Sequence, residues 1–182
     1  MSTPAIPARR GARLAEALAR RRITLGFVAA LLALLLAQPT WRTWLAGLLV
    51  SAIGEAIRIW AAGHLEKGRE VTRSGPYRFV GHPLYLGSIV IAGGVVLAAR
   101  SFTVALLTAL YMGATITAAI RTEEAALRQA FGPAYDDYRA SRGEPMARPF
   151  SAARVRRNRE HRAVVGLLAG FALLALKAAT LQ

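Results

Sequence analysis

The stretch GPYRFVGHPLYLG, residues 75–87, gathers phenols, a guanidinium and an imidazole between two apolar runs. Tyr77, Arg78, His82 and Tyr85 exchange protons or hold anions, and such groups are costly at membrane depth without a partner. Pro83 suits the first turn of a helix, where its missing N–H is not needed, and it biases His82 away from helical angles. That helix start presents free backbone N–H groups at a membrane surface, a natural anion site. His82 and Tyr85, three apart, share a face if the helix reaches that far. Gly87 and the Gly93-Gly94 pair let another backbone or a flat ligand approach closely. The same residue types also make an ordinary interfacial belt, so composition leaves both readings open.

Two further stretches carry ionisable groups. In RTEEAALRQAFGPAYDDY, residues 121–138, Glu123 and Glu124 lie about 100° apart on a helix, so at most one is expected to point inward. Alone, they also fit a solvated helix end paired with Arg121 and Arg128. In GEAIRIWAAGH, residues 54–64, Glu55 and Arg58 fall inside an apolar run, where an unpaired charge costs several kcal/mol. Three apart, they can neutralise each other; alternatively Arg58 or His64 faces a cavity and meets an anionic group.

The elements that must position these residues are membrane helices. The chain has 182 residues, is 54% hydrophobic and carries a net charge of +14. Its basic residues flank apolar runs instead of decorating a soluble fold, which argues against nucleic-acid binding. Apolar runs span 23–37, 44–62, 84–99, 102–120 and 163–176, the last reaching 181. Crossing the ~30 Å hydrocarbon layer takes about 20 residues, so the second and fourth are long enough and the others are short. The reading is all-α: a polytopic bundle of about five transmembrane helices forming one domain over 23–182, after a basic arm at 1–22. A long basic lead and a short following loop favour a retained first helix over a cleaved signal.

Arginine placement orients the bundle. Arg9, Arg10, Arg13, Arg20, Arg21 and Arg22 precede the first helix, and Lys67, Arg69, Arg73 and Arg78 lie between the second and third. Ten more stand between Arg121 and Arg162, whereas the opposite turns hold Arg42 and Arg100. The amino terminus and all the polar stretches are therefore expected on the cytoplasmic side. Residues 143–162 are expected on anionic lipid headgroups. The tight turn Ala99-Arg100-Ser101 forces an antiparallel hairpin, so 81–87 must lie near 121–128. One pocket then combines His82 and Tyr85 with the glutamates, which could hold a ribose diol or an amino group.

Other chemistries fall away. With no cysteine and three scattered histidines, a metal centre is not expected. There is no Gly-x-Ser-x-Gly, P-loop or dinucleotide glycine fingerprint. What remains is a cytoplasm-facing pocket for a polar cofactor beside a lipid-accessible one, a geometry suited to group transfer onto a lipid.

GPYRFVGHPLYLG, followed after one hairpin by EEAALRQAFGPAYDDY, resembles the integral-membrane isoprenylcysteine carboxyl methyltransferases, a family that shares a motif with phospholipid N-methyltransferases. The pattern is Gly-Pro-Tyr, then Arg-His-Pro-x-Tyr-x-Gly, then Glu-Glu ahead of a Phe-Gly and a tyrosine. RIWAAGHLEKG resembles the approach to it, and the likeness covers about residues 54–140. The resemblance implies S-adenosylmethionine held by His82, Pro83, Tyr85, Gly87, Glu123 and Glu124, with Tyr77 and Arg78 beside them. It also implies a lipophilic acceptor entering from the bilayer, with no obligatory protein partner. The expected setting is a bacterial inner membrane, with the site facing the cytoplasm. A carboxylate acceptor needs no general base; an amine must first lose a proton, which a glutamate can accept.

One position departs from the pattern: Gly81 stands where the family usually has arginine. The task of positioning an acceptor carboxylate is then vacant, or passes to Arg58, with Glu55 beside it, to Arg78 or to Arg121. Two other classes fit less of the pattern: a reductase-like relative using a nicotinamide cofactor, and a non-catalytic membrane binder.

Overall fold

The computed structural model describes residues 24, 26–142, 144 and 146–181; the basic arm expected over 1–22 lies outside them. Among the described residues every regular element is helical. In chain order these are α1 (Gly26–Leu36), then α2 (Trp41–His64), a 3₁₀ turn (Gly75–Arg78), α3 (Pro83–Ala99), α4 (Phe102–Phe131), α5 (Pro133–Arg139), α6 (Ala152–Arg157) and α7 (Glu160–Leu181).

Of these, α2, α4 and α7 are long and apolar enough to cross a membrane, and α1 and α3 are shorter apolar helices. The protein is an integral membrane helix bundle. The fifth apolar run, short by composition, gains its length because Glu160, His161 and Arg162 form the first turn of α7. At 30 residues α4 runs to about 45 Å, so its last turns, which bear Glu123 and Glu124, project past the ~30 Å hydrocarbon layer.

The bundle is inside-out relative to a soluble protein. Leu45, Leu49, Ile53, Leu106, Leu110, Leu168 and Leu176 are exposed, while α2 buries Gly47, Ser51, Gly54 and Ala61. Lipid solvates the large apolar side chains, so helices associate through small residues that let backbones meet. The α2–α3 crossing follows this rule. A Cβ at Gly54 would stand 2.7 Å from the Gly87 carbonyl oxygen, and one at Gly94 would stand 2.5 Å from that of Gly47. Between these two contacts Ser51 Oγ donates to the Ile91 carbonyl at 3.1 Å.

Turn chemistry fixes the end distal to the motifs. Thr40 caps α2 through a reciprocal pair with Thr43: Thr43 N donates to Thr40 Oγ1 at 3.3 Å, and Thr40 N to Thr43 Oγ1 at 3.0 Å. The α3–α4 turn closes through Arg100 in the left-handed region, and Ser101 caps α4 by accepting from Val104 N at 3.4 Å. Gln38 N donates to the Ala99 carbonyl at 2.7 Å, tying the two turns together over a core of Ala37, Ala98, Ala99, Val104, Phe171 and Leu174. Lys177 Nζ donates to the Leu34 and Leu35 carbonyls at 2.7 Å, satisfying the end of α1 from α7.

At the opposite, basic end, the chain between α5 and α7 folds back over the C-terminus of α2. Ser151 N and Arg154 Nε donate to the Gly63 carbonyl at 3.1 and 2.7 Å, and Asn158 Nδ2 donates to Ala62 and Leu65. Arg148 forks onto Glu70 at 2.5 and 2.8 Å, and Arg157 meets Glu66 at 3.0 Å. Part of the stretch expected on headgroups is thus engaged within the protein itself. Arg148 and Arg154 turn inward, because the free carbonyls of α2 and the carboxylates of the α2–α3 loop need cationic partners.

Candidate functional site

Pro83 opens α3, with His82 as its cap residue in a non-helical conformation. From there the imidazole turns toward the projecting end of α4. His82 Nε2 lies 3.2 Å from Glu124 Oε1, and His82 Nδ1 lies 3.9 Å from Glu123 Oε2. The expected juxtaposition of the two motifs is present. The expectation that only one glutamate turns inward is modified: both approach the same ring, from its two nitrogens. They differ in cover, since Glu124 is 17% exposed and Glu123 is 45% exposed.

Between this end of α3 and α4 lies a cavity of about 510 Å³, within the range of small-ligand sites. Tyr77, His82, Pro83 and Tyr85 line one side and Thr115, Ala118, Thr122 and Glu123 the other, with Arg58 and Ser88 at its base. The Tyr85 ring sits 5.7 Å from that of His82. Burial, then the Glu123 carboxylate, pushes the Tyr77 phenol far above its ordinary value, which favours its neutral form. Of the α4 side chains described, only Val104 is buried, so that helix gives the cavity a wall bordered by lipid.

This arrangement sets polar, titratable side chains in a cavity whose α4 wall borders lipid. Residues 25–134 match the phospholipid methyltransferase family. The chain belongs to that family. It is 32% identical over 117 residues to the nickel-cobalt-cadmium resistance protein NccN of Alcaligenes xylosoxydans xylosoxydans, covering 59% of this chain and 54% of that protein. The chain thus spans about half the length of that curated relative. No solved structure matches the chain.

Within this phospholipid methyltransferase-family chain, the expected site residues do not all reach one place. Tyr77, His82, Pro83, Tyr85, Glu123 and Arg58 line the cavity, and Glu124 holds His82 from behind. Gly87 does not line it. The close approach it permits is that of α2, since a Cβ there would meet the Gly54 carbonyl oxygen and Arg58 Cγ at 2.6 Å. Arg78 opens onto a neighbouring cavity instead. Glu55 is buried beneath Arg58, 3.8 Å from its Nε, and neither carboxylate oxygen has a hydrogen-bond partner among the described residues.

The principal partner of Arg58 is Glu160. Arg58 Nη2 lies 2.8 Å from Glu160 Oε2, and its Nη1 donates to Ser88 Oγ at 2.5 Å. Sequence reasoning paired Arg58 with Glu55 or with a ligand and missed Glu160. The available signal was a lone carboxylate among the arginines of 148–162.

Arg139 was missed as well. The chain restarts after Gly132, whose φ of 48° and ψ of −125° an L side chain would rarely adopt, and α5 folds back on the 3₁₀ turn. Tyr138 Oη donates to the Tyr77 carbonyl at 3.0 Å and Arg73 Nη2 to the Ala134 carbonyl at 2.7 Å. So pinned, α5 brings Arg139 Nη2 within 3.3 Å of Glu124 Oε1.

Proposed function

We propose that the α3–α4 cavity binds S-adenosylmethionine from the cytoplasmic side and that the methyl group passes to a lipophilic acceptor held at membrane depth. The observation that carries this reading is His82 bracketed by Glu123 and Glu124 at the mouth of a cavity whose α4 wall borders lipid. The donor set fits the cofactor. A half-exposed carboxylate at Glu123 suits a sulfonium or a ribose diol, and Pro83, Leu84 and Ala118 offer an apolar wall to a base. Bound there, the cofactor supplies an already activated methyl group.

The chain's own residues then orient and enclose. Glu124 and Arg139 fix the His82 ring, and Glu123 faces the ligand. Arg58, anchored by Glu160, keeps one guanidinium edge on Ser88 at the base of the cavity. Alignment and exclusion of water account for most of the acceleration such a transfer needs. The acceptor approaches along α4, where lipid borders the cavity. The basic end faces the cytoplasm, as the placement of arginine and lysine implies, and the membrane is a bacterial inner membrane.

Calorimetry on detergent-purified protein tests the reading. S-adenosylhomocysteine should bind and a nicotinamide dinucleotide should not. Membranes containing the protein should transfer label from a radiolabelled methyl donor into the lipid extract. Binding of the dinucleotide instead, or of neither ligand, sinks the proposal.

A further inference from the structure

Beside the main cavity lies a second, of about 340 Å³, which shares Tyr77 and Gly81 with it. Arg73, Arg78 and Arg139 line it, and no carboxylate does. Among the described residues Glu124 is the one carboxylate in ion-pair contact with these three, through Arg139, and Arg78 has no hydrogen bond or ion pair. Three guanidinium groups around one space repel one another unless an anion joins them, and their planar forks match carboxylate and phosphate oxygens.

Gly81 explains how this space exists. A Cβ at Gly81 would stand 3.1 Å from Arg139 Nη1, and no other described side chain comes within 4 Å. A large side chain at this position would displace Arg139 and intrude where the two cavities meet. The position where the resemblance calls for arginine is therefore approached by an arginine from α5, reaching across the gap from the other direction.

We propose that this cavity is an oxyanion subsite, taking a carboxylate or phosphate carried by the ligand whose remainder occupies the α3–α4 cavity. The inference rests on that cavity being a ligand site. The oxyanion comes either from the amino-acid end of the cofactor or from the phosphate of a lipid headgroup.

Full-length protein in detergent or nanodiscs distinguishes these sources. The probes are S-adenosylhomocysteine, its decarboxylated analogue, and phosphatidylglycerol against diacylglycerol, which lacks the phosphate, with retained lipid read by native mass spectrometry. Arg78→Gln, on an exposed side chain that folding does not need, should weaken one oxyanion probe about tenfold, with Arg78→Lys recovering part of it. Loss for S-adenosylhomocysteine alone assigns the cofactor carboxylate. Loss for phosphatidylglycerol alone assigns a lipid phosphate. Gly81→Leu should mimic whichever loss is seen.

Equal weakening of both nucleoside analogues with lipid retention unchanged overturns the subsite, as does no change in any probe. If the unaltered protein binds no S-adenosylhomocysteine, the methyl-transfer reading fails, and the lipid arm alone decides the subsite.

Discussion

Arg58 of α2 grips Glu160 of α7 from 102 residues away, with its Nη2 2.8 Å and its Nε 3.1 Å from Glu160 Oε2. The remaining guanidinium nitrogen reaches Ser88 on α3. One side chain thus ties three helices together at the base of the cavity. At 3.8 Å, Glu55 is a poorer partner on the same helix.

Glu160→Gln should therefore destabilise the bundle by about 3–5 kcal/mol, the usual cost of stranding one half of a buried ion pair. Glu55→Gln should cost little or raise stability, because it removes a buried carboxylate with no hydrogen bond of its own among the described residues. Thermal unfolding in detergent compares the two variants. Equal losses would show that the two carboxylates share Arg58.

The α2–α3 crossing makes a second contrast. Gly54→Ala and Gly94→Ala each drive a methyl group into the facing helix and should cost about 1–3 kcal/mol. Gly93→Ala meets nothing within 4 Å and should be neutral. Retained helicity with a lower midpoint for the first two, measured by circular dichroism, is the expected pattern.

At the site, Glu123→Ala and Glu124→Ala should differ in kind. Glu123 lines the cavity, so its loss should weaken S-adenosylhomocysteine binding directly, by tenfold or so. Glu124 acts through His82, so Glu124→Ala should lower turnover more than affinity, and His82→Ala should add little to it. Full additivity of the double variant would place Glu124 outside the pair.

Arg148→Ala removes the fork onto Glu70 and a donor to the His64 carbonyl at 3.3 Å. Loss of these charge-assisted bonds should cost roughly 1–3 kcal/mol and loosen the loop after α2. Hydrogen exchange over 61–74 should accelerate, while that of α4 stays unchanged. Uniform acceleration would mean that this return segment supports the whole bundle.

The orientation has its own readout. A periplasm-active phosphatase joined after Gln182 should be active, and a cytoplasm-active reporter there should be silent. The reverse pattern would place the basic end outside.

Much of this was legible in the residues. Apolar runs and their arginine flanks specify the helices, because hydropathy and length are local properties of the chain. The meeting of His82 with Glu123 and Glu124 was legible too, because Arg100-Ser101 allows only an antiparallel hairpin and so sets which ends are neighbours. The tertiary structure alone decided that Glu160 partners Arg58, that Gly87 serves the α2–α3 crossing and not the cavity, and that Arg139 reaches Gly81. Each of these depends on how far one helix is rotated and shifted against another that is distant in sequence. Spacing along the chain does not encode that rotation; it is set by which small residues let two backbones close and which buried charges must then find each other.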